Sequence, residues 1–268
     1  MIKIAVHSVP RSGSTWLGEI FNSHPDVVYK YQPLFSYAFK GRLSTSSTNQ
    51  NIQDFFTDIS KSSDDFINQV EARKDGKLPI FNKEASFKAI VYKEVRYHHI
   101  LEHILKQDKE LKVIGLVRNP LAVVYSWLNA PREFRKDLGW QVLEEWRYAK
   151  KKNLNKIEEF NGYEKWKEVS LMFLRLEKQF KNRFKLIQYE NLLNQTEFEV
   201  KALFDFCNLS YSKSTQNFIL SKNEVNNTDA YSVFKTKKDD KKWRQLPPEI
   251  ISFIERDLEN TELKKFIL

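Results

Sequence analysis

Val9-Pro10-Arg11-Ser12-Gly13-Ser14-Thr15-Trp16 puts one guanidinium, three hydroxyls and a glycine between a short apolar run and a helical pattern. Gly13 permits a tight backbone path. The amides around Ser14 and Thr15 would be the unpaired donors of a helix N-terminus, which attracts an anion through those donors and the helix dipole. Arg11, Ser12, Ser14 and Thr15 would add charge-assisted and hydroxyl hydrogen bonds, roughly 1.5–3 kcal/mol for each bond to a charged group. An ordinary strand-to-helix turn capped by serine has the same spacing, so spacing alone does not separate the two. The motif lacks Gly-x-x-x-x-Gly-Lys-Ser/Thr, which disfavours a magnesium-dependent nucleotide hydrolase or kinase, and no Gly-x-Gly-x-x-Gly dinucleotide fingerprint is present.

The elements that must position this loop follow from periodicity. Ile2 to His7 reads as a strand, and Trp16, Leu17, Ile20 and Phe21 share one face of the helix after it. Ala89–Tyr92, Val113–Val117 and Phe184–Gln188 are further strand candidates. Helical patterns cover Ile52–Ile59, Ile100–Leu105, Pro120–Trp127 with Asn119 as N-cap, Trp166–Phe180 and Phe198–Phe206, and a last helix opens at Pro247-Pro248. Strands alternating with helices predict an α/β fold with a mainly parallel sheet flanked by helices, and ligands in such sheets bind beyond the carboxyl ends of the strands. The chain reads as a single domain, 1–268, with polar or basic insertions at about 41–65 and 129–165 that could act as lids over a site.

With 41% hydrophobic and 29% charged residues, the 268-residue chain is an ordinary globular protein. Its net charge of +9 would attract nucleic acid, an anionic membrane surface or a polyanionic ligand. The basic residues are spread along the chain without a nucleic-acid-binding module, so no nucleic acid partner is expected. Cys207 is the single cysteine, which excludes an intrachain disulfide framework. No run reaches the ~20 apolar residues of a spanning helix, and no signal peptide fits before Ile2, so a cytoplasmic protein is expected.

Residues 10 to 17, Pro-Arg-Ser-Gly-Ser-Thr-Trp-Leu, resemble the 5′-phosphosulfate loop of sulfotransferases that use 3′-phosphoadenosine 5′-phosphosulfate (PAPS). Phe21-Asn22-Ser23-His24-Pro25-Asp26-Val27 and Tyr31-Gln32-Pro33-Leu34-Phe35 look most like the carbohydrate sulfotransferase branch. Leu116 to Ser126, with Arg118-Asn119-Pro120 inside it, resembles the family's 3′-phosphate motif, and Gln188-Tyr189-Glu190-Asn191-Leu192 resembles a third segment. Together the motifs keep the family's order and span nearly the whole chain. The resemblance implies a P-loop-type fold and transfer of a sulfuryl group from PAPS to a hydroxyl-bearing acceptor, a carbohydrate or glycoconjugate such as an anionic glycan, leaving 3′-phosphoadenosine 5′-phosphate (PAP).

By the same resemblance, Arg11 and the Ser12, Gly13, Ser14 and Thr15 backbone hold the 5′-phosphosulfate, Trp16 and Tyr189 lie at adenine, and Arg118 and Ser126 bind the 3′-phosphate with Lys241, Lys242 or Arg244. Lys93 matches a lysine that faces the transferred sulfate, with Arg96 a weaker candidate; a solvated strand-end lysine is the plain alternative for Lys93. Related carbohydrate enzymes carry glutamate as the proposed base where this chain has Gln32, and an amide accepts no proton at neutral pH. His99, His98, Glu94 and Glu84 are substitute bases, with His99 preferred, and strand alternation turns Glu94 away if Lys93 faces the site. His99 and His103 with Glu102 lack a third histidine, so no metal is expected. A catalytically weak or inactive PAPS/PAP binder, and less so a P-loop kinase, remain as alternatives.

Overall fold

Five short runs, most of them aliphatic, form the sheet at the centre of the computed structural model, which describes residues 1–221 and 241–267. They are β1 (Ile2–His7), β2 (Val27–Tyr31), β3 (Ala89–Glu94), β4 (Lys112–Val117) and β5 (Phe184–Gln188), in the order β2-β3-β1-β4-β5. Each neighbouring pair is parallel. Helix α1 (Ser14–Asn22) follows β1. Helices α2 (Asn49–Lys61), α3 (Asp65–Asn68) and α4 (Val70–Lys74) lie between β2 and β3, and α5 (Leu101–Gln107) leads into β4. Between β4 and β5 come α6 (Pro120–Leu128), α7 (Val142–Glu145), α8 (Lys150–Asn153) and α9 (Tyr163–Gln179). After β5 the chain forms α10 (Tyr189–Asn194), α11 (Thr196–Phe206), α12 (Lys213–Leu220) and α13 (Pro248–Leu258).

Both faces of the sheet are covered, which explains why its strands read as apolar runs rather than as an alternation. On one face Ile4, Val6 and Val91 pack with α1, α10 and α11. On the other, Ala5, Ile90, Tyr92 and Val113 pack with α2, α5, α9 and α13. The α/β, mainly parallel expectation holds, and the sheet among the described residues is parallel throughout.

The structure adds a strand that periodicity did not reveal. In β2, Val-Val-Tyr-Lys-Tyr mixes a lysine and two tyrosines into an edge strand, so it has no aliphatic signature. It pairs with β3 from Val27↔Ala89 to Tyr31↔Lys93. The third strand also runs two residues past Tyr92, to Glu94, which brings Lys93 inside the sheet. Within segment 41–65 the expected helix at Ile52–Ile59 is present as α2, which buries Ile52, Phe55, Phe56 and Ile59, and Phe55 and Phe56 pack edge-on or tilted against Tyr92. The basic run from Lys235 falls, up to residue 240, outside the described residues. No helix among the described residues is long and apolar enough to cross a membrane.

Candidate active site

The loop after β1 turns through two left-handed residues, Arg11 at φ 70° and Gly13 at φ 89°. A non-glycine residue in that region costs about 1–3 kcal/mol and persists only where its surroundings enforce it. Gly13 is required for a second reason: a Cβ there would run into the ring of Tyr189. Gly13 is also the N-cap of α1, and no side chain caps the helix. The helix start therefore has no capping side chain for its first amides. Ser12 Oγ is buried without a hydrogen-bond partner among the described residues.

The other side chains gather around this loop. Arg11 donates through Nε to Ser126 Oγ at 3.1 Å and through Nη1 to Glu133 Oε1 at 3.3 Å. Arg118, just past β4, donates through Nη1 to the Arg11 carbonyl at 3.1 Å, and its guanidinium lies 4.7 Å from the ring centre of Tyr189. The rings of Tyr189 and Trp16 meet edge to face at 6.0 Å. Two strand ends and a helix N-terminus thus converge on one strained loop.

Sheet register places the next cation. Val6, Lys93 and Tyr31 are neighbours across β1, β3 and β2, so all three side chains leave the same face beside the loop. Lys93 is 2% exposed, and its Nζ sits 4.4 Å from the centre of the Tyr31 ring. Burial pulls its ammonium down to about 7, and Arg96 and Arg11 push the same way against Glu94 and Glu133. The solvated strand-end lysine is thereby set aside. Glu94 points to the opposite face, as alternation requires, and its Oε1 accepts from the Leu34 amide at 2.7 Å. Burial raises that carboxyl to about 8.

Gln32 stands at φ 43° at the tip of β2, its amide nitrogen bonded to the Lys93 carbonyl at 2.8 Å. Its Oε1 accepts from Arg96 Nη1 at 3.0 Å, while Arg96 Nε pairs with Glu159 at 2.8 Å. Arg96 also covers the Phe35 ring at 4.0 Å. Tyr31, Phe35 and Phe66 form an aromatic group, with ring centres of 5.6 and 5.9 Å from Phe66 to the other two.

A cleft of about 560 Å³ unites these groups. Of the residues predicted from sequence, Arg11, Gly13, Ser14, Thr15, Trp16, Gln32, Lys93, Ser126 and Tyr189 line it, as does Arg96. Ser12 lies behind the loop, and Arg118 behind Tyr189. Lys242 and Arg244 do not line it; they sit on a short 3-10 turn, Lys242–Gln245, tied to α6 by the bond from Tyr125 Oη to Gln245 at 2.9 Å. His99 does not line it either, and burial lowers its imidazole below the usual range. No residue of 41–65 is on the wall. Arg132, Glu133 and Lys152, from the 129–165 insertion, are, and Phe66, Gln69, Ala72, Lys77 and Leu78 supply the rest of that side. Glu133 had no motif around it; its one sequence signal was an acid in an otherwise basic stretch, seven residues after Ser126.

Likeness to known proteins follows the same lines. A stretch of 32 residues is 56% identical to carbohydrate sulfotransferase 7 of Mus musculus and of Rattus norvegicus, covering 12% of this chain and 7% of either relative. The chain thus matches only a small part of the length of those curated relatives. Among solved structures, mouse sulfotransferase SULT7A1 complexed with PAP matches with a TM-score of 0.57 at 14% identity, over 99% of this chain and 87% of that one. A sulfotransferase from Alicyclobacillus acidocaldarius matches at 0.52 and 14%, over 100% and 96%, and retinol dehydratase in complex with retinol and PAP at 0.53 and 14%, over 97% and 82%. These low identities speak for the fold. A family model described as Sulfotransferase domain matches residues 2–266, from the first strand to the end of the described fold, and the chain belongs to that family.

Proposed function

We infer that the protein transfers a sulfuryl group from PAPS to a hydroxyl of an acceptor, and that the acceptor is a carbohydrate or glycoconjugate. The observation that carries this reading is the convergence of the uncapped α1 start, Arg11 and the buried Lys93 on one cleft. The residues fit such a donor: the loop offers amides and a guanidinium to an anion, with the Ser12 hydroxyl buried and unsatisfied behind them, and Trp16 with Tyr189 offers aromatic surface beside it.

When bound, PAPS would supply an activated sulfuryl group whose leaving oxygen gains negative charge. Arg11 and the Ser12–Thr15 amides would hold the 5′-phosphosulfate, Trp16 and Tyr189 the adenine, and Arg118 and Ser126 the 3′-phosphate, with Lys242 and Arg244 nearby on the α6 side. Arg11 and Lys93 put positive charge where it is needed more in the transition state than in the ground state, which is what lowers a barrier. Lys93 is almost fully buried on the cleft wall, where burial strengthens its field.

The acceptor side carries two kinds of wall. Tyr31, Phe35 and Phe66 suit the flat face of a ring, and Lys77, Arg132 and Lys152 favour an anionic one. Both support a glycan, the second an acidic glycan. Cys207, buried and unpaired, supports a reducing, cytoplasmic setting. Gln32 supports a second reading, a PAP-binding protein of little activity.

Calorimetric binding of PAP, beside AMP and ATP with Mg²⁺, tests the first step. Binding at least tenfold tighter for PAP than for AMP is expected. Equal binding of the two, or preference for ATP with Mg²⁺, would overturn the reading. Donor binding without PAP release from PAPS in the presence of any glycan would leave the second reading standing.

A further inference from the structure

Transfer to a hydroxyl needs a group to take its proton, and the residue at the expected place, Gln32, cannot. Among the described residues on the cleft wall there is no histidine or aspartate, and Glu133 is the only carboxylate. Glu94 is on the other face of the sheet, occupied by the Leu34 amide. Glu158 and Glu159 are off the wall, the latter engaged by Arg96. Glu133 follows α6, with its side chain 25% exposed, and its carboxylate faces Arg11 from the loop, Lys93 from β3 and Tyr31 from β2, with Arg132 beside it in the chain.

Its ion pair with Arg11 decides how it would work. Arg11 Nη1, the group that the donor's anion needs, is bonded to Glu133 at 3.3 Å. That distance is long for a charge-assisted bond, which is usually 2.7–2.9 Å, so the pair is easily exchanged. We propose that Glu133 is the catalytic base for the acceptor hydroxyl, and that it is released from Arg11 when the donor's phosphosulfate takes its place there. This rests on the sulfotransferase reading.

The acceptor O–H proton passes to a Glu133 oxygen while the acceptor oxygen bonds to sulfur. The bond between sulfur and the oxygen shared with the 5′-phosphate breaks, and its electron pair stays on the phosphate, where Arg11 and Lys93 lie. A carboxylate left beside a bound anion without its guanidinium takes up a proton more readily. Donor binding thus prepares the base, and the donor precedes the acceptor.

The test uses the full chain, with Glu133→Gln and Glu133→Asp variants. PAP is titrated calorimetrically at pH 5.5 and 7.5 in two buffers of different ionisation enthalpy, which reports protons taken up on binding. At pH 5.5 the wild type should take up more protons than Glu133→Gln, and Glu133→Gln should bind PAP at least threefold more tightly. PAP release from PAPS is then followed from pH 5.5 to 8.5, with water alone and with a panel of methyl glycosides. Glu133→Gln should lose roughly 10²-fold or more in the faster of these, and the acid limb of the profile, with Glu133→Asp restoring part of both. Turnover within threefold of wild type would overturn the base assignment. Equal proton uptake and affinity in wild type and Glu133→Gln would overturn the exchange on Arg11. Either result with PAP still preferred over AMP sinks this proposal alone; loss of that preference in the wild type sinks the donor reading.

Discussion

Replacing Lys93 by methionine should make the protein both less active and more stable. Methionine keeps the length of the lysine stem and removes the charge from a site only 2% exposed. Burial is the main reason that the ammonium is pulled down to about 7 from its ordinary 10.5. The sign follows from proton counts: between those two values the unfolded chain holds a proton that the folded chain has released, so this lysine makes stability rise with pH. Below 7 both states are protonated and the fold carries the full cost of a buried charge. Each unit is worth ~1.4 kcal/mol, so a shift of roughly three units caps the cost at about 4–5 kcal/mol. Relaxation and water entry will reduce it to a few kcal/mol.

Urea unfolding at pH 6, 8 and 9.5 reads this directly. Lys93→Met should gain most at pH 6, on the order of 2 kcal/mol, and the gain should shrink toward pH 9.5. Glu94, raised to about 8 by burial, gives the opposite slope below that pH, and the Lys93 ammonium holds it down, so the comparison is repeated in a Glu94→Gln background to isolate Lys93. In the same variant PAP release from PAPS should fall by roughly 10²–10³, the effect of removing one donor that stabilises developing charge, while PAP affinity changes by less than about tenfold. A variant that is no more stable than wild type at pH 6 would refute the buried charge. Unchanged turnover would remove Lys93 from the chemistry. Gain in stability with loss of turnover is the signature of a charge kept for function at the expense of the fold.

Gln32→Glu separates a lost base from a positioning residue. The new carboxylate would lie on Arg96 Nη1, where Gln32 Oε1 now accepts at 3.0 Å, and a paired carboxylate is a poor base. Turnover should stay flat or fall; a tenfold rise would show that only the base was missing. Acid should unfold the protein through His7 and His98. Their Nδ1 atoms are 3.0 Å apart, so one ring donates and the other must be neutral to accept, and burial holds His7 near 3 and lowers His98 as well. As pH falls from 6.5 toward 3 the unfolded chain gains protons that the fold resists, so stability drops, by up to ~1.4 kcal/mol per unit for each ring. His98→Phe, set between Phe160 and Phe173, should flatten the slope of the urea midpoint between pH 7 and 5; an unchanged slope would place the acid-sensitive groups elsewhere.

The parts of the site that were legible in the sequence are those carried by short contiguous motifs. Arg11 to Trp16 forms a loop whose chemistry depends on neighbours in the chain, and the same is true of Asn119-Pro120 opening α6, where the Asn119 side chain accepts from the Leu121 amide. Lys93 was legible only in part: its number fitted, but its burial depended on β3 running two residues further and on a fifth strand beside it. That strand was hidden because Tyr29, Lys30 and Tyr31 spend their side chains on separate partners. Tyr29 fills the space above Gly18, Lys30 bonds Asn68 Oδ1 at 2.7 Å, and Tyr31 lies under Lys93.

Glu133 was illegible for a different reason. Its relation to Arg11 spans 122 residues and exists only because α6 carries the chain back over the loop. His99 is off the cleft wall, next in the chain to His98, whose ring packs in the core against Phe160. Residue type nominated His99 and not Glu133, and only the packing of the chain after α6 against the loop brings Glu133 to the wall. That packing leaves one acid facing the cation that an anionic donor must take.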